Sequence, residues 1–89
     1  MIQRKAFKTW LKNNTTYSNA SIDDVISRMV RADKILEWQP IESYSFYLEH
    51  LDDFEKMSVS VRSQIRKAVK YYFAFYKMTH PEEIEREYK

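Results

Sequence analysis

The chain has 89 residues, which is enough for one domain, and 44% of them are hydrophobic, so a small but dense core can form. It contains no cysteine, which excludes disulfides and thiolate metal sites, and no glycine, which excludes a glycine-rich phosphate loop. The net charge of +2 by itself argues only weakly for a nucleic-acid partner. Charged residues rather than a long apolar run follow the start, so we expect neither a signal peptide nor a transmembrane span. A cytoplasmic protein without a membrane partner is the simplest interpretation.

The distribution of charge is more informative than its sum. Residues 1–20 contain basic side chains and no acidic ones, residues 37–55 contain acidic side chains and no basic ones, and residues 58–81 are again basic without an acidic residue. Segregation of this kind produces local fields that the net charge conceals.

Four helices joined by short polar loops are predicted, and the first covers about residues 3–12. Its apolar positions follow helical spacing and form one stripe: Ala6, Phe7, Trp10 and Leu11. We expect Asn13 and Asn14 to end this helix, because asparagine tolerates the left-handed conformation common at helix ends.

The second predicted helix begins at Ser21, which serves as its N-cap. Asp23 and Asp24 then fall in the first turn, where the helix dipole favours negative charge. Helical spacing continues to about Glu37, and Pro40 prevents its extension. The apolar residues of this helix are Ile22, Val25, Ile26, Met29, Ala32 and Leu36.

A third helix is predicted over residues 41–51, and its apolar stripe consists of Tyr44, Tyr47, Leu48 and Leu51. Residues 52–57 are predicted to be a loop that folds Phe54 and Met57 back onto the core. The acidic run that includes this helix is interpreted as a solvated face or, alternatively, as a docking surface for a basic partner.

The fourth helix is predicted to begin at a cap on Ser58 or Ser60 and to reach about Met78. Its inner face consists of Val61, Ile65, Ala68, Val69, Tyr72, Phe73 and Tyr76. Residues 79–82 indicate either a short terminal helical turn or a frayed charged tail.

No pattern of catalytic or metal-binding residues is present. His50 and His80 lie far apart, and Asp52, Asp53 and Glu55 lack the alternation and closing glutamate of a calcium loop. Serine, histidine and aspartate are not arranged as nucleophile, base and orienting group. We therefore expect no enzymatic activity, no cofactor and no metal.

The outer face of the fourth helix is the strongest functional signal. Successive residues of a helix are rotated by 100°, so the apolar residues of this helix lie on one side and its polar and basic residues on the other. The polar and basic residues are Ser60, Arg62, Ser63, Gln64, Arg66, Lys67 and Lys70. Such cations neutralise phosphates, and serine, glutamine and arginine hydrogen-bond to base edges. The competing interpretation is an ordinary solvated face. Tyr71 lies off the core stripe and is a further candidate contact.

The chain also resembles a known family over residues 5–78. The resemblance lies in the spacing Phe7-x-x-Trp10-Leu11, Tyr17-Ser-x-x-Ser21-Ile22-x-Asp-Val25-Ile-Ser-Arg28, Tyr44-x-x-Tyr47-Leu48-x-x-Leu51 and Ser58-Val-Ser-Val61-x-x-Gln-Ile65-x-x-Ala68-Val69-x-x-Tyr72-Phe73-x-Phe75. This pattern is similar to the N-terminal core-binding domain of tyrosine recombinases, the SAM-like four-helix domain of phage integrases.

The resemblance implies a compact four-helix SAM-like bundle, which agrees with the all-α class expected from helical spacing. We assign this domain to residues 1–79 and a charged C-terminal tail to residues 80–89. In that family the domain clamps one side of the duplex, with the second and fourth helices nearest the DNA. The matching positions here are Ser27, Arg28 and Arg31 on the second helix, and Arg62, Ser63, Arg66, Lys67 and Lys70 on the fourth. The family's catalytic domain is missing from the sequence.

Two functions follow as hypotheses. The first is a non-catalytic module that binds double-stranded DNA, either as an integrase fragment or as a stand-alone binder from a phage or mobile element. Its further partner would be a recombinase catalytic domain or another protein, and the chain would be a monomer in isolation. The second is a helical protein-interaction module that docks through its charge-polarised faces.

Overall fold

In the computed structural model, residues 2–84 are described, and no strand occurs among them. The helices in chain order are α1 (Arg4–Asn14), α2 (Asn19–Ile35), α3 (Tyr44–Glu49), α4 (Asp52–Glu55) and α5 (Val59–Thr79). A single 3₁₀ turn, Pro81–Glu83, follows α5. The all-α fold class is therefore confirmed, and the division into a domain and a charged tail stays a prediction, because residues 85–89 lie outside the described part of the chain.

Helix α1 buries Phe7 and Leu11 completely and leaves Trp10 half-buried, whereas Ala6, predicted in the same stripe, is exposed. The helix ends at Asn14 without a left-handed residue, because no described residue has a positive φ. The prediction that an asparagine ends this helix in the left-handed conformation is therefore wrong. Instead Thr15 is extended, and both its backbone N–H and its hydroxyl donate to the Leu11 carbonyl.

Helix α2 begins one turn earlier than predicted, because Ser18 rather than Ser21 is its N-cap. The Ser18 hydroxyl accepts a hydrogen bond from the Ser21 backbone N–H at 3.2 Å. The helix ends at Ile35 and not at Glu37, since Leu36 is already extended. The Asp33 carboxylate accepts a hydrogen bond from the backbone N–H of Trp38 at 2.8 Å, which fixes the path of the chain after the helix.

Helix α3 is shorter than predicted, and only half of its predicted stripe is inside. Tyr44 and Leu48 are buried, but Tyr47 and Leu51 are 49% and 37% exposed. The segment predicted as a loop contains α4, a single helical turn. Its Phe54 is buried, which confirms that this ring folds back onto the core.

Helix α5 is the longest element, and its N-cap is Ser58, whose hydroxyl accepts from the Val61 backbone N–H at 3.2 Å. Its buried residues are Ile65, Ala68, Val69, Tyr72 and Phe75. Three residues predicted on the inner face are only partly buried: Val61, Phe73 and Tyr76. Phe75, which was not assigned to that face, is buried against Phe7 with ring centroids 5.5 Å apart.

Trp38 occupies the centre of an aromatic cluster that joins the chain after α2 to α3 and α5. Its ring lies edge-on to Tyr44 and to Tyr72, each at 4.9 Å between centroids, and close to Phe73 and Tyr76. Each such pair contributes about 0.5–1.5 kcal/mol beyond area burial. Trp38, which belongs to none of the predicted apolar stripes, is thus a principal packing residue.

The largest interhelical interface joins α2 and α5. Tyr17, just before α2, meets Tyr71, whereas Arg28, further along α2, meets Gln64. The two helices therefore run in opposite directions. Over residues 2–84, no helix has both the length and the apolar composition required to cross a bilayer.

Candidate nucleic-acid interface

The outer side of α5 carries most of the residues predicted to contact DNA. Ile65, Val69 and Tyr72 hold the opposite side of the helix in the core, and they thereby fix which side faces solvent. The predicted residues that are exposed on α5 are Ser60, Ser63, Arg66, Lys67 and Lys70.

A groove runs between α2 and α5 and has a volume of about 220 Å³. Its lining consists of Tyr17, Ser21, Asp24, Val25, Arg28, Gln64 and Lys67. The Arg28 Nε donates a hydrogen bond to Gln64 Oε1 at 2.8 Å, which ties the guanidinium to α5 and holds it at the groove. Two predicted cations from different helices, Arg28 and Lys67, are thus brought to one site.

Two tyrosines extend this groove. The Tyr17 hydroxyl is 2.9 Å from the Tyr71 hydroxyl, and the Lys67 ammonium lies 5.1 Å from the centre of the Tyr17 ring. The ammonium favours the phenolate, so the pKa of Tyr17 is lowered, with a smaller contribution from the Tyr71 hydroxyl. The pKa of Tyr71 is raised chiefly by its hydrogen bond to Tyr17. Lys67 is therefore located against an aromatic face while its own side chain stays exposed.

A second depression lies beside the groove and is lined by Arg66, Lys67, Lys70 and Tyr71. Lys67 borders both hollows, which makes them one continuous basic surface. Within residues 2–84, neither Lys67 nor Lys70 forms an ion pair.

Arg66 is less available than the sequence suggested, because its charge is partly used inside the protein. Its Nε donates to Glu49 Oε1 at 2.8 Å, and its guanidinium lies 5.6 Å from the centre of the Phe54 ring. No acidic residue lies near Arg66 in the sequence of α5, but the fold brings Glu49 of α3 close enough to form an ion pair with it. Arg66 remains 47% exposed, so a phosphate can still reach it.

Arg62 departs most from the predicted placement. It was expected on the solvent side of α5, but the residue is half-buried, and its Nε is buried without a hydrogen-bond partner. The helical angle explains this, since Arg62 lies only about 60° from the Ile65 direction at 100° per residue. Its side chain therefore belongs to the edge of the core.

The remaining predicted contacts are exposed but separate from the groove. Ser27 and Arg31 lie on α2, and Ser60 and Ser63 lie on α5; none of the four belongs to the groove lining. The structure therefore brings Arg28, Lys67, Lys70 and Arg66 together and leaves Arg31 and the three serines outside the groove.

Tyr17 is the site residue that analysis of helix faces missed, because it was assigned to a polar loop. A usable signal was present: an apolar residue immediately before a serine N-cap packs against the first turn of the helix. This signal was hidden because Ser21, with Asp24 three residues later, is also typical of a helix start. With the cap at Ser18, Tyr17 directly precedes the helix, whereas a cap at Ser21 would leave it four residues away.

Nearby acidic side chains weaken the positive electrostatic field of the groove but do not cancel it. Asp24 lines the groove, and Lys8 of α1 pairs with Asp23 at 3.5 Å. Among the described residues, no three histidine, aspartate or glutamate side chains converge as a metal site requires.

Comparison with protein-family models, with curated proteins and with solved structures gave no significant match.

Proposed function

We propose that this chain is a non-catalytic module that binds duplex DNA through the α2–α5 surface, which comprises Arg28, Lys67 and Lys70 with Tyr17, Gln64 and Tyr71. Arg31, exposed about one turn further along α2, would add a phosphate contact beside the groove. In this proposal it acts in the cytoplasm as part of, or as a relative of, a phage-type integrase. A recombinase catalytic domain would then contact the other side of the duplex.

The observation that carries the proposal is the continuity of the basic surface across two helices. Arg28 on α2 and Lys67 on α5 border one groove, and Lys67 and Lys70 border the next. Cations on a continuous surface of this kind can neutralise neighbouring phosphates of a duplex backbone. Phosphate contacts of this type set the position and orientation of a protein on DNA.

Polar groups between these cations give the surface more than charge. The Gln64 side chain already accepts a hydrogen bond from Arg28, and its amide N–H₂ is left to donate to a base or a phosphate. The Tyr17 and Tyr71 hydroxyls lie at the same groove. Sequence-dependent contacts would come from these groups, since phosphate contacts alone carry no sequence information.

The expected affinity is low. Arg28, Arg31, Lys67 and Lys70 together support about four phosphate contacts, which corresponds to a slope of about −3.6 in log K against log salt. At physiological salt the dissociation constant should be on the order of micromolar or weaker.

A nuclear magnetic resonance titration of the labelled chain with a short duplex tests the proposal. Amide shifts should concentrate on residues 27–34 and 60–71 and on Tyr17, and should spare residues 41–53. If no duplex perturbs those amides even at low salt, the DNA proposal is wrong. The protein-interaction module would then be the better hypothesis.

A further inference from the structure

Helix α3 presents an apolar surface that no part of the described chain covers. Phe46 is 60% exposed, Tyr47 is 49% exposed and Leu51 is 37% exposed. The Phe46 ring lies 5.7 Å from the Tyr47 ring and 4.3 Å from the His50 ring, so these three rings form one cluster, and the exposed Leu51 directly follows His50 in the chain. We call Phe46, Tyr47, His50 and Leu51 the α3 patch.

The exposure of this patch follows from the phase of the helix. Tyr44 and Leu48 fill the inner side of α3, and both are 1% exposed. Phe46 lies two residues from each of them, which places it about 160–200° away around the helix. Single exposed apolar residues are common on protein surfaces, but contiguous apolar side chains with polar neighbours mark interaction sites.

The surroundings of the α3 patch are negatively charged. Glu49 follows Phe46 by three residues on the same side of α3, and Glu42 lies in the turn that precedes the helix. Asp52, Asp53 and Glu55 follow in α4, and residues 41–55 contain no lysine or arginine. This field repels phosphates and anionic lipid surfaces, so neither nucleic acid nor an anionic membrane suits the patch.

We propose that the α3 patch docks a basic amphipathic segment of another protein. The apolar side chains of that segment would cover Phe46 and Leu51, and its lysines or arginines would approach Glu42 and Asp52. The contact between Arg66 and this region has the same chemistry within the chain: the guanidinium pairs with Glu49 and lies over the Phe54 ring.

This docking surface is separate from the α2–α5 surface. Arg66 and its partner Glu49 lie on the border between the two, and Arg28, Lys67 and Lys70 lie beyond it. The inference therefore does not depend on DNA binding, and the two partners can be tested independently.

Two synthetic helical peptides provide the probe. They share leucines at positions i, i+3, i+4 and i+7, and the polar face carries lysines in one peptide and glutamates in the other. Each is titrated into the labelled full chain and followed by nuclear magnetic resonance. The lysine peptide should shift residues 42–55 and leave 60–71 less affected, and the glutamate peptide should bind at least tenfold more weakly.

Variants then locate the contact. Phe46→Ala should weaken binding of the lysine peptide at least tenfold. Met78→Ala is the matched control and should leave it unchanged, since Met78 is 66% exposed and lies 12 residues after Arg66 on α5. Should Phe46→Ala disturb folding, the double variant Glu42→Lys, Asp52→Lys keeps the apolar cluster and should weaken binding to a similar extent.

Several outcomes would overturn the proposal. These are no shift at residues 42–55 with the lysine peptide, equal affinity for both peptides, or equal effects of Phe46→Ala and Met78→Ala. Concentration-dependent shifts of the same residues without any peptide would identify a second copy of the chain as the occupant, and would also contradict it.

Discussion

Lys67 is the residue on which the proposed interface depends most. Its ammonium lies over the Tyr17 ring, and Tyr17 in turn contacts the Tyr71 hydroxyl, so one cation is coupled to the two tyrosines that border the groove. A lysine side chain loses much rotamer freedom on binding. Because Lys67 already lies against the Tyr17 ring, part of its rotamer entropy is lost in the free protein, and less remains to be lost when a phosphate binds.

The tyrosine contact predicts a specific titration behaviour. Because the Lys67 ammonium stabilises the phenolate, Tyr17 should ionise at a lower pH than Tyr44, Tyr72 and Tyr76, whose pKa values are raised. The hydrogen bond to the Glu83 carboxylate raises the pKa of Tyr76 to about 12, so Tyr76 should ionise at a clearly higher pH than Tyr17.

The substitution Lys67→Met should raise the pKa of Tyr17 towards its ordinary value, because the positive charge is removed while the aliphatic packing is largely kept. The control Lys70→Met should leave that pKa unchanged. Ring resonances followed by nuclear magnetic resonance as the pH rises give the measurement. Identical Tyr17 titration in both variants would show that the cation does not lie on this ring.

At the scale of the elements, the caps decide where the helices of the interface begin. Ser18 caps α2 and Ser58 caps α5, each through a hydroxyl that accepts from the backbone N–H three residues on. The first turn of α2 therefore includes Ser21, which lines the groove, and directs Tyr17 towards α5. The position of the cap thus determines the composition of the site.

Replacement of the two candidate cap residues distinguishes them. Ser18→Ala should lower the free energy of unfolding by about 1 kcal/mol, because one N–H of the first turn loses its acceptor. In a domain of this size that corresponds to a melting temperature lower by about 4–8 °C. Ser21→Ala should change stability by less than about 0.5 kcal/mol. Thermal unfolding measures both, and a larger effect at Ser21 would contradict the observed cap.

Element by element, the sequence predicts the long helices well and the short ones poorly. The stripes of α1 and α5 are apolar enough that their periodicity alone identifies Phe7, Leu11, Ile65 and Val69 as core residues. Around α3 the periodicity is ambiguous, because Phe46, Tyr47 and Leu48 within the helix and Leu51 after it are all apolar, and only tertiary packing selects Leu48. The role of Trp38 was also inaccessible, since it depends on rings that are distant in sequence.

At the scale of the whole molecule, segregation of charge along the chain is only partly preserved in space. The basic α1 pairs through Lys8 with Asp23 of α2, and the basic α5 pairs through Arg66 with Glu49 of α3. A pattern read along one helix cannot anticipate these pairs, because it contains no information on which helix lies opposite. The basic surface is therefore smaller than the one predicted and is centred on Lys67.

Release of Arg66 should strengthen DNA binding. In Glu49→Gln the guanidinium loses its charged partner and becomes free to contact a phosphate, so the slope of log K against log salt should steepen by about one unit. Glu42→Gln removes the same charge without breaking this pair, and should alter affinity only weakly. Equal effects of the two substitutions would mean that Arg66 takes no part in the interface.

The salt dependence of duplex binding by Lys67→Ala, Lys70→Ala tests the proposed interface most directly. Both residues are exposed, so the double variant should fold, and loss of two phosphate contacts should reduce the magnitude of the salt slope by about two units. Lys5→Ala, Lys12→Ala is the matched control, because it removes the same charge from the exposed side of α1 and should leave the slope nearly unchanged. Fluorescence anisotropy across a range of salt concentrations measures both. An unchanged slope in the α5 variant, or an equal loss in the two variants, would contradict the assignment of DNA binding to the α2–α5 surface.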